Sequence, residues 1–137
     1  MRALHFGLRV IELDRSLAFY RAVGYEVIGE VPETDIGHLT MLKLPGDDFV
    51  TLELVYQPDF AHTDGDSSLS HFVIQVDDMD ATRAHLSSRG VDVDEPTSPD
   101  GSTDFLTAMV ADPDGNRIEL VQWPPGHADG ITAADQP

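Results

Sequence analysis

The chain has no cysteine among its 137 residues and only one lysine, Lys43. Without thiols it can form neither disulfide bonds nor thiolate metal sites, so any bound metal must be held by nitrogen and oxygen ligands. Basic residues are scarce in general, since 8 Lys and Arg stand against 25 Asp and Glu and leave a net charge of -17. A nucleic-acid-binding protein needs a basic surface to displace phosphate counterions, so this composition excludes nucleic acid as a partner.

Long hydrophobic runs are also missing. No stretch reaches the roughly 20 apolar residues that span a bilayer, so the sequence predicts no membrane partner. The N-terminus enters an alternating, strand-like segment at residues 4–11 instead of a secretory signal, which predicts a cytoplasmic protein.

A repeat is the main feature that the sequence does contain. The same number of positions separates His5 from His71 and Glu53 from Glu119. The flanking residues recur with them, because His-Phe stands at both histidines and the glutamates lie in the related strings Leu-Glu-Leu-Val and Ile-Glu-Leu-Val. A chain that repeats a unit usually repeats a structure, so two related halves are predicted.

Hydrophobic periodicity and turn residues predict the same order of elements in each half, a strand, a helix and three strands. The first half predicts strands at 4–11, about 25–30, 38–44 and 49–56, with a helix at about 15–23. The second half predicts strands at 70–77, about 91–95, 104–111 and 116–122, with a helix from Asp78 to about 89. The fold class is therefore α+β, with two tandem βαβββ modules that form a curved mixed sheet.

The repeat also predicts the domain boundaries. Module one covers 1–57 and module two covers 70–123, and together they form a single domain at 1–123. The polar segment 58–69 predicts a linker between the modules. Residues 124–137 are rich in proline, glycine, alanine and aspartate, which predicts a disordered tail.

Strand parity predicts where the repeated polar residues point. Glu53 alternates with aliphatic residues in its strand, and the same holds for its three counterparts. If the aliphatic faces pack under the helices, one concave face carries four polar side chains, His5, Glu53, His71 and Glu119. Two imidazoles and two carboxylates with two positions left open suit an octahedral divalent ion, so a site for nickel, cobalt or zinc with expanded coordination is predicted. The other histidines are interpreted as non-ligands.

These residues resemble the vicinal oxygen chelate superfamily and, within it, the short bacterial glyoxalase I enzymes, or lactoylglutathione lyases. The resemblance covers residues 1 to about 123. It rests on the segments Met1–His5, Leu8–Val10, Leu13–Ser16, Phe19-Tyr20, Leu52–Tyr56, Asp112–Asn116 and Ile118–Leu120. It implies the glyoxalase/bleomycin resistance/dioxygenase fold, in which paired βαβββ modules hold a divalent metal in a concave cleft.

The resemblance also implies a reaction and an assembly. The substrate would be the hemithioacetal of a 2-oxoaldehyde such as methylglyoxal with a small thiol, and the product a 2-hydroxyacyl thioester. A homodimer is implied, in which one chain contributes His5 and Glu53 to a site and the other contributes His71 and Glu119. By the family pattern Glu119 is the catalytic base, and Glu53 relays a proton on the opposite face of the substrate. Because the compact length lacks the insertions of the longer zinc-preferring forms, the resemblance favours nickel or cobalt, with zinc possible.

Substrate contacts are implied at Arg9, which matches an arginine that grips a carboxylate of glutathione, and at Gln57. The chain departs from the family pattern at Gln57, where asparagine is usual. It departs again at 99–104, where an acidic loop, Pro-Asp-Gly-Ser-Thr-Asp, replaces one that usually carries lysine. These departures leave the identity of the thiol open.

Two other function classes remain as alternatives. One is a different metal-dependent member of the superfamily, an epimerase or a dioxygenase. Epimerases of this fold usually carry glutamine in place of Glu53, and the dioxygenases use two histidines and one carboxylate, so Glu53 disfavours both. The other is a non-enzymatic drug-binding resistance protein, which the intact set of metal ligands disfavours.

Overall fold

The computed structural model of the chain describes residues 5–34, 37–59, 69 and 71–130. It divides into two compact units. The first comprises Met1–Ser68 with Asp112–Asp114, and the second Leu69–Ala111 with Gly115–Pro137. Each unit combines one helix with one sheet, so the predicted α+β class is confirmed.

Unit one has the predicted order of a strand, a helix and three strands. Its elements are β1 (Phe6–Val10), α1 (Leu13–Val23), β2 (Glu26–Val31), β3 (His38–Lys43) and β4 (Leu52–Tyr56). They form a sheet of order β1-β4-β3-β2, in which only the β1–β4 pair is parallel. The helix ends at Gly24, whose φ of 125° lies in the region that favours glycine.

Unit two repeats this order with one difference. Its elements are β5 (Phe72–Gln75), α2 (Met79–Ser88), β6 (Leu106–Ala111) and β7 (Arg117–Gln122), in a sheet of order β5-β7-β6 with β5 parallel to β7. The strand predicted at 91–95 is replaced by isolated bridges at Val93 and Thr97. Pro96 lies between these bridges and has no amide hydrogen to donate, so a continuous ladder cannot form there.

The core of each unit lies on the aliphatic face of its sheet, as strand parity predicted. The buried strand residues on that face are Leu8, Val10, Thr40, Leu42, Leu52 and Leu54 in unit one, and Phe72, Ile74, Ala108, Val110, Ile118 and Leu120 in unit two. Val55 and Val121 are also buried, but they lie on the opposite face of their sheets. Phe6 departs from the pattern, since its side chain is 55% exposed at the start of β1. Glu53 and Glu119 belong to the opposite, non-core faces.

The turn at Asp112–Asp114 connects β6 to β7 yet packs on α1, within unit one. The hydroxyl of Tyr20 donates to Asp112 Oδ2 at 2.6 Å, and Ser16 Oγ donates to Asp114 Oδ2 at 3.1 Å. Asp114 also accepts from the amide of Ile11, just before the helix, at 3.3 Å. The turn therefore supplies carboxylates that hold the first helix in place.

The segment predicted as a tail makes contacts over the part that the structure describes. Gln75 Nε2 in β5 donates to Asp129 Oδ1 at 2.8 Å, and the ring of His127 stacks on Trp123 with centroids 4.3 Å apart. The remainder of the predicted tail, 131–137, lies outside the described residues, as does most of the predicted linker. Within the described ranges, no helix has the length and apolar character needed to cross a membrane.

Candidate metal and substrate site

The first predicted pair of ligands meets in unit one. His5 immediately precedes β1 and Glu53 lies in β4, and these two strands are adjacent and parallel. Their side chains approach to 3.6 Å between His5 Nε2 and Glu53 Oε2. Because core residues Leu52 and Leu54 flank Glu53 in the strand, its carboxylate points away from the core.

The second pair meets in unit two in the same way. His71 immediately precedes β5, Glu119 lies in the adjacent parallel strand β7, and His71 Nε2 is 3.3 Å from Glu119 Oε2. The strand registers agree as well, since Gly7 stands opposite Glu53 and Val73 stands opposite Glu119. The sequence repeat is therefore a repeat of side-chain geometry.

Each pair fits two neighbouring ligands of one divalent ion. Bonds of about 2.0–2.2 Å from a metal to nitrogen and oxygen place adjacent octahedral ligands roughly 3 Å apart, near the two distances observed. All four side chains keep some exposure, so each pair is accessible to an ion from solvent. The described part of one chain holds no group of three or more His, Cys, Asp or Glu side chains that could bind a metal, and each unit presents its two ligands as a pair.

The two predicted substrate-binding residues also meet in unit one. Arg9 Nη1 donates to Gln57 Oε1 at 3.1 Å, and the contact is partly buried. Arg9 is two positions from Gly7 and four from His5, so all three lie on the same face of the strand. The hydrogen bond to Gln57 thus holds the Arg9 guanidinium, a cationic group with several N–H donors, on this face.

The acidic loop at 99–104 lies in unit two and is organised around Asp100. This carboxylate accepts from the amide of Ser102 at 2.9 Å and from Ser98 Oγ at 3.0 Å. Hydrogen bonds from Ser102 and Ser98 hold the pKa of Asp100 below its ordinary value. These bonds favour the ionised form of the Asp100 side chain.

Two methionines beside the glutamates were missed in the sequence analysis. Met41 in β3 is the register partner of Glu53, and Met109 in β6 is the register partner of Glu119. The constant spacing that relates His5 to His71 matches Met109 with Lys43 instead of Met41. The mismatch arises because the turn between β3 and β4 is longer than the turn between β6 and β7. A comparison that allowed a gap at this turn would have found the pair.

The other described histidines belong to neither the His5–Glu53 pair nor the His71–Glu119 pair. His38 Nε2 in β3 lies 3.7 Å from Glu30 Oε2, and His127 stacks on Trp123. His85 belongs to the last turn of α2. His62 lies outside the described residues.

Comparison with known proteins identifies the family. Residues 2–120 match the model of the Glyoxalase/Bleomycin resistance protein/Dioxygenase superfamily. A probable lactoylglutathione lyase of Vibrio cholerae is 34% identical over 131 residues, which are 93% of this chain and 94% of that protein. A lactoylglutathione lyase of Haemophilus influenzae is 31% identical and covers 89% of this chain and 93% of its own length.

Solved structures agree with this assignment. The trypanothione-dependent glyoxalase I of Leishmania major superposes with a TM-score of 0.70 at 30% identity, over 89% of this chain and 86% of that one. An antibiotic-binding protein from Streptomyces sp. CB03234 gives a TM-score of 0.66 at 28% identity, over 90% and 96%. The predicted fold and family are confirmed, and the chain belongs to the glyoxalase/bleomycin resistance protein/dioxygenase superfamily.

Proposed function

We propose that the protein is a metal-dependent isomerase of the glyoxalase I type. Its substrate would be the hemithioacetal of methylglyoxal or another 2-oxoaldehyde with a small thiol, and its product the 2-hydroxyacyl thioester. The observation that carries this proposal is the His–Glu pair, which occurs once in each unit with the same strand register and nearly the same distance. The lactoylglutathione lyases among its relatives support the same reaction.

The proposed metal ligands are His5, Glu53, His71 and Glu119. Their nitrogen and oxygen donors suit nickel or cobalt, with zinc possible, and the chain has no thiolate to compete. A bound divalent ion would act as a Lewis acid and lower the pKa of the proton next to the substrate carbonyl. The proposed homodimer combines the His5–Glu53 pair of one copy with the His71–Glu119 pair of another.

The two glutamates take different roles in this proposal. Glu119 is 28% exposed and Glu53 14% exposed, so Glu119 is the more accessible of the two to a substrate proton. Glu119 is therefore proposed as the base that moves the proton between the two carbons, with Glu53 as the relay on the other face. A positioned carboxylate base contributes about 10²–10⁴-fold to the rate.

Arg9 and Gln57 are proposed to hold the thiol end of the substrate. The Arg9 guanidinium is already oriented by Gln57, so little side-chain entropy is lost when it binds a carboxylate. The negative loop around Asp100 opposes a second carboxylate if the thiol reaches it. A thiol with a single carboxylate, or one with a neutral or cationic far end, fits this charge pattern better than glutathione does.

The test of the proposed function is an assay panel that varies metal and thiol together. Protein purified without chelator is analysed for bound metal, stripped, and reloaded with nickel, cobalt or zinc before methylglyoxal is added with each thiol. The proposal expects bound metal near one ion per chain and thioester formation that is lost after stripping and restored by reloading. Metal binding without thioester formation for any thiol would contradict it.

One observation favours a second candidate function, the binding of a drug-like molecule without turnover. The antibiotic-binding protein of Streptomyces shares the fold over most of both chains. The two candidates differ in their need for a metal. If the protein binds no divalent ion but binds an antibiotic at micromolar concentration, this second function is supported and the isomerase is ruled out.

A further inference from the structure

Gly7 occupies an unusual place in β1, midway between His5 and Arg9 on the face that carries both. At roughly 3.3 Å per residue, His5 and Arg9 are about 13 Å apart along the strand, and Gly7 is halfway. Its register partner is Glu53. The proposed metal end and the proposed anion-binding end of the site are therefore separated by a residue without a side chain.

Neither backbone conformation nor packing requires glycine at this position. Gly7 is not among the glycines with positive φ. A Cβ added to it would meet Val55 Cγ2 at 3.8 Å and Glu53 Oε1 at 3.9 Å, which are ordinary contact distances. Glycine inside a strand costs about 0.5–1 kcal/mol relative to alanine, so its presence here needs another reason.

The second unit shows that the fold accepts a large residue at the equivalent place. Val73 has the same position relative to β5 and stands opposite Glu119 as Gly7 stands opposite Glu53. Its side chain is 53% exposed, so it projects from the sheet beside the glutamate. A glycine in a strand interior often marks a place where another molecule approaches the backbone closely.

We propose that Gly7 determines thiol specificity. The thiol arm, which is the part of the substrate beyond the sulfur, contacts the Gly7 backbone as it extends along β1 from the side of Glu53 to Arg9. This inference rests on the proposed function. It implies an extended thiol, whose carboxylate is several bonds from the sulfur. A side chain at residue 7 would lift such an arm away from the strand and weaken the grip of Arg9.

The test compares Gly7→Ala and Gly7→Val with the wild type on two methylglyoxal adducts. Glutathione gives a long adduct with carboxylates, and 2-mercaptoethanol gives a short neutral adduct that ends before Arg9. Gly46→Ala is the matched control, since a Cβ there meets nothing within 4 Å and its φ is not positive. Calorimetric binding of S-methylglutathione, an unreactive thioether, supplies a readout that requires no turnover.

The expected result is a selective loss. Gly7→Val should lower kcat/KM for the glutathione adduct by about 10-fold or more relative to the 2-mercaptoethanol adduct, and weaken S-methylglutathione binding by a similar factor. Gly7→Ala should show a smaller loss in the same direction. Both Gly7 variants should have a melting temperature at or above that of the wild type, because glycine is replaced in a strand. Gly46→Ala should change neither the kcat/KM ratio of the two adducts nor the binding of S-methylglutathione.

Other outcomes separate the two proposals. If the ratio of kcat/KM for the glutathione adduct to kcat/KM for the 2-mercaptoethanol adduct is unchanged in both Gly7 variants, the thiol-arm inference is overturned and the proposed isomerase function still stands. Equal kcat/KM values of the wild type for the short and the long adduct would also overturn the thiol-arm inference. A metal-loaded wild type that isomerises neither adduct overturns the inference, and one that isomerises no thiol adduct of the panel overturns the proposed function as well.

Discussion

Replacing Tyr20 by phenylalanine tests whether the Asp112–Asp114 turn stabilises the first helix. Tyr20 is fully buried, Asp112 is 5% exposed, and their hydrogen bond is 2.6 Å long. The substitution keeps the ring, which packs edge-on against Phe19 and Tyr25, and removes only the hydroxyl. It therefore isolates one hydrogen bond between residues that are far apart in sequence.

The expected loss follows from the partner of that hydroxyl. A hydrogen bond to a charged group contributes about 1.5–3 kcal/mol, and more of that value is retained where water is excluded. Asp112 Oδ1 keeps its bond from the Asp114 amide at 2.9 Å, so the turn itself should persist in the variant. We expect Tyr20→Phe to lower the free energy of unfolding by about 2 kcal/mol, and the melting temperature by several degrees.

Urea unfolding followed by circular dichroism measures this difference, with Tyr25→Phe as the control. Tyr25 is similarly buried, at 6% exposure, and packs on the same ring. It does not bond to the turn. A loss for Tyr20→Phe no larger than that for Tyr25→Phe would refute the reasoning, and a reduced m-value would indicate that the variant alters more than one bond.

The remaining predictions concern the pH dependence and the site. Burial, with the Asp112 charge, raises the pKa of Tyr20, and burial raises the pKa of Tyr25, so the folded state keeps protons that the unfolded state releases above about pH 10. The contribution of these two tyrosines to stability should therefore be constant below that pH and be lost above it, and Tyr20→Phe should reduce the slope in alkaline denaturation. Glu119→Gln should keep measurable metal binding by calorimetry but lose about 10²-fold or more in kcat, and wild-type turnover would remove Glu119 from the role of base. Arg9→Ala should raise KM for a carboxylate-bearing thiol adduct with a smaller change in kcat, as the loss of uniform binding requires, and an unchanged KM would place Arg9 outside the substrate contacts.

Local patterns account for the part of the fold that could be predicted. Strand parity placed Glu53 opposite Leu52 and Leu54 because a strand alternates with period two, and the structure confirms that orientation. The contact between Tyr20 and Asp112 could not be predicted, since these residues come from different halves and nothing in their neighbourhoods specifies a partner. The prediction of a strand at 91–95 was wrong, because it gave more weight to the aliphatic alternation than to the missing amide hydrogen of Pro96, which interrupts the ladder.

The repeat predicted the pairing within each half but could not predict how the halves differ. A fixed spacing identifies equivalent positions in the two halves. It does not show which positions beside the His–Glu pairs have come to differ, and a difference in function depends on those positions. Gly7 and Val73 occupy the same register beside the two glutamates, yet only one leaves room above the strand. Arg9 pairs with Gln57, whereas the equivalent Gln75 bonds to Asp129. Unit one thus has the open strand and the cation, and unit two has the more exposed glutamate. The proposed function accordingly draws its substrate contacts from unit one and its catalytic base from unit two.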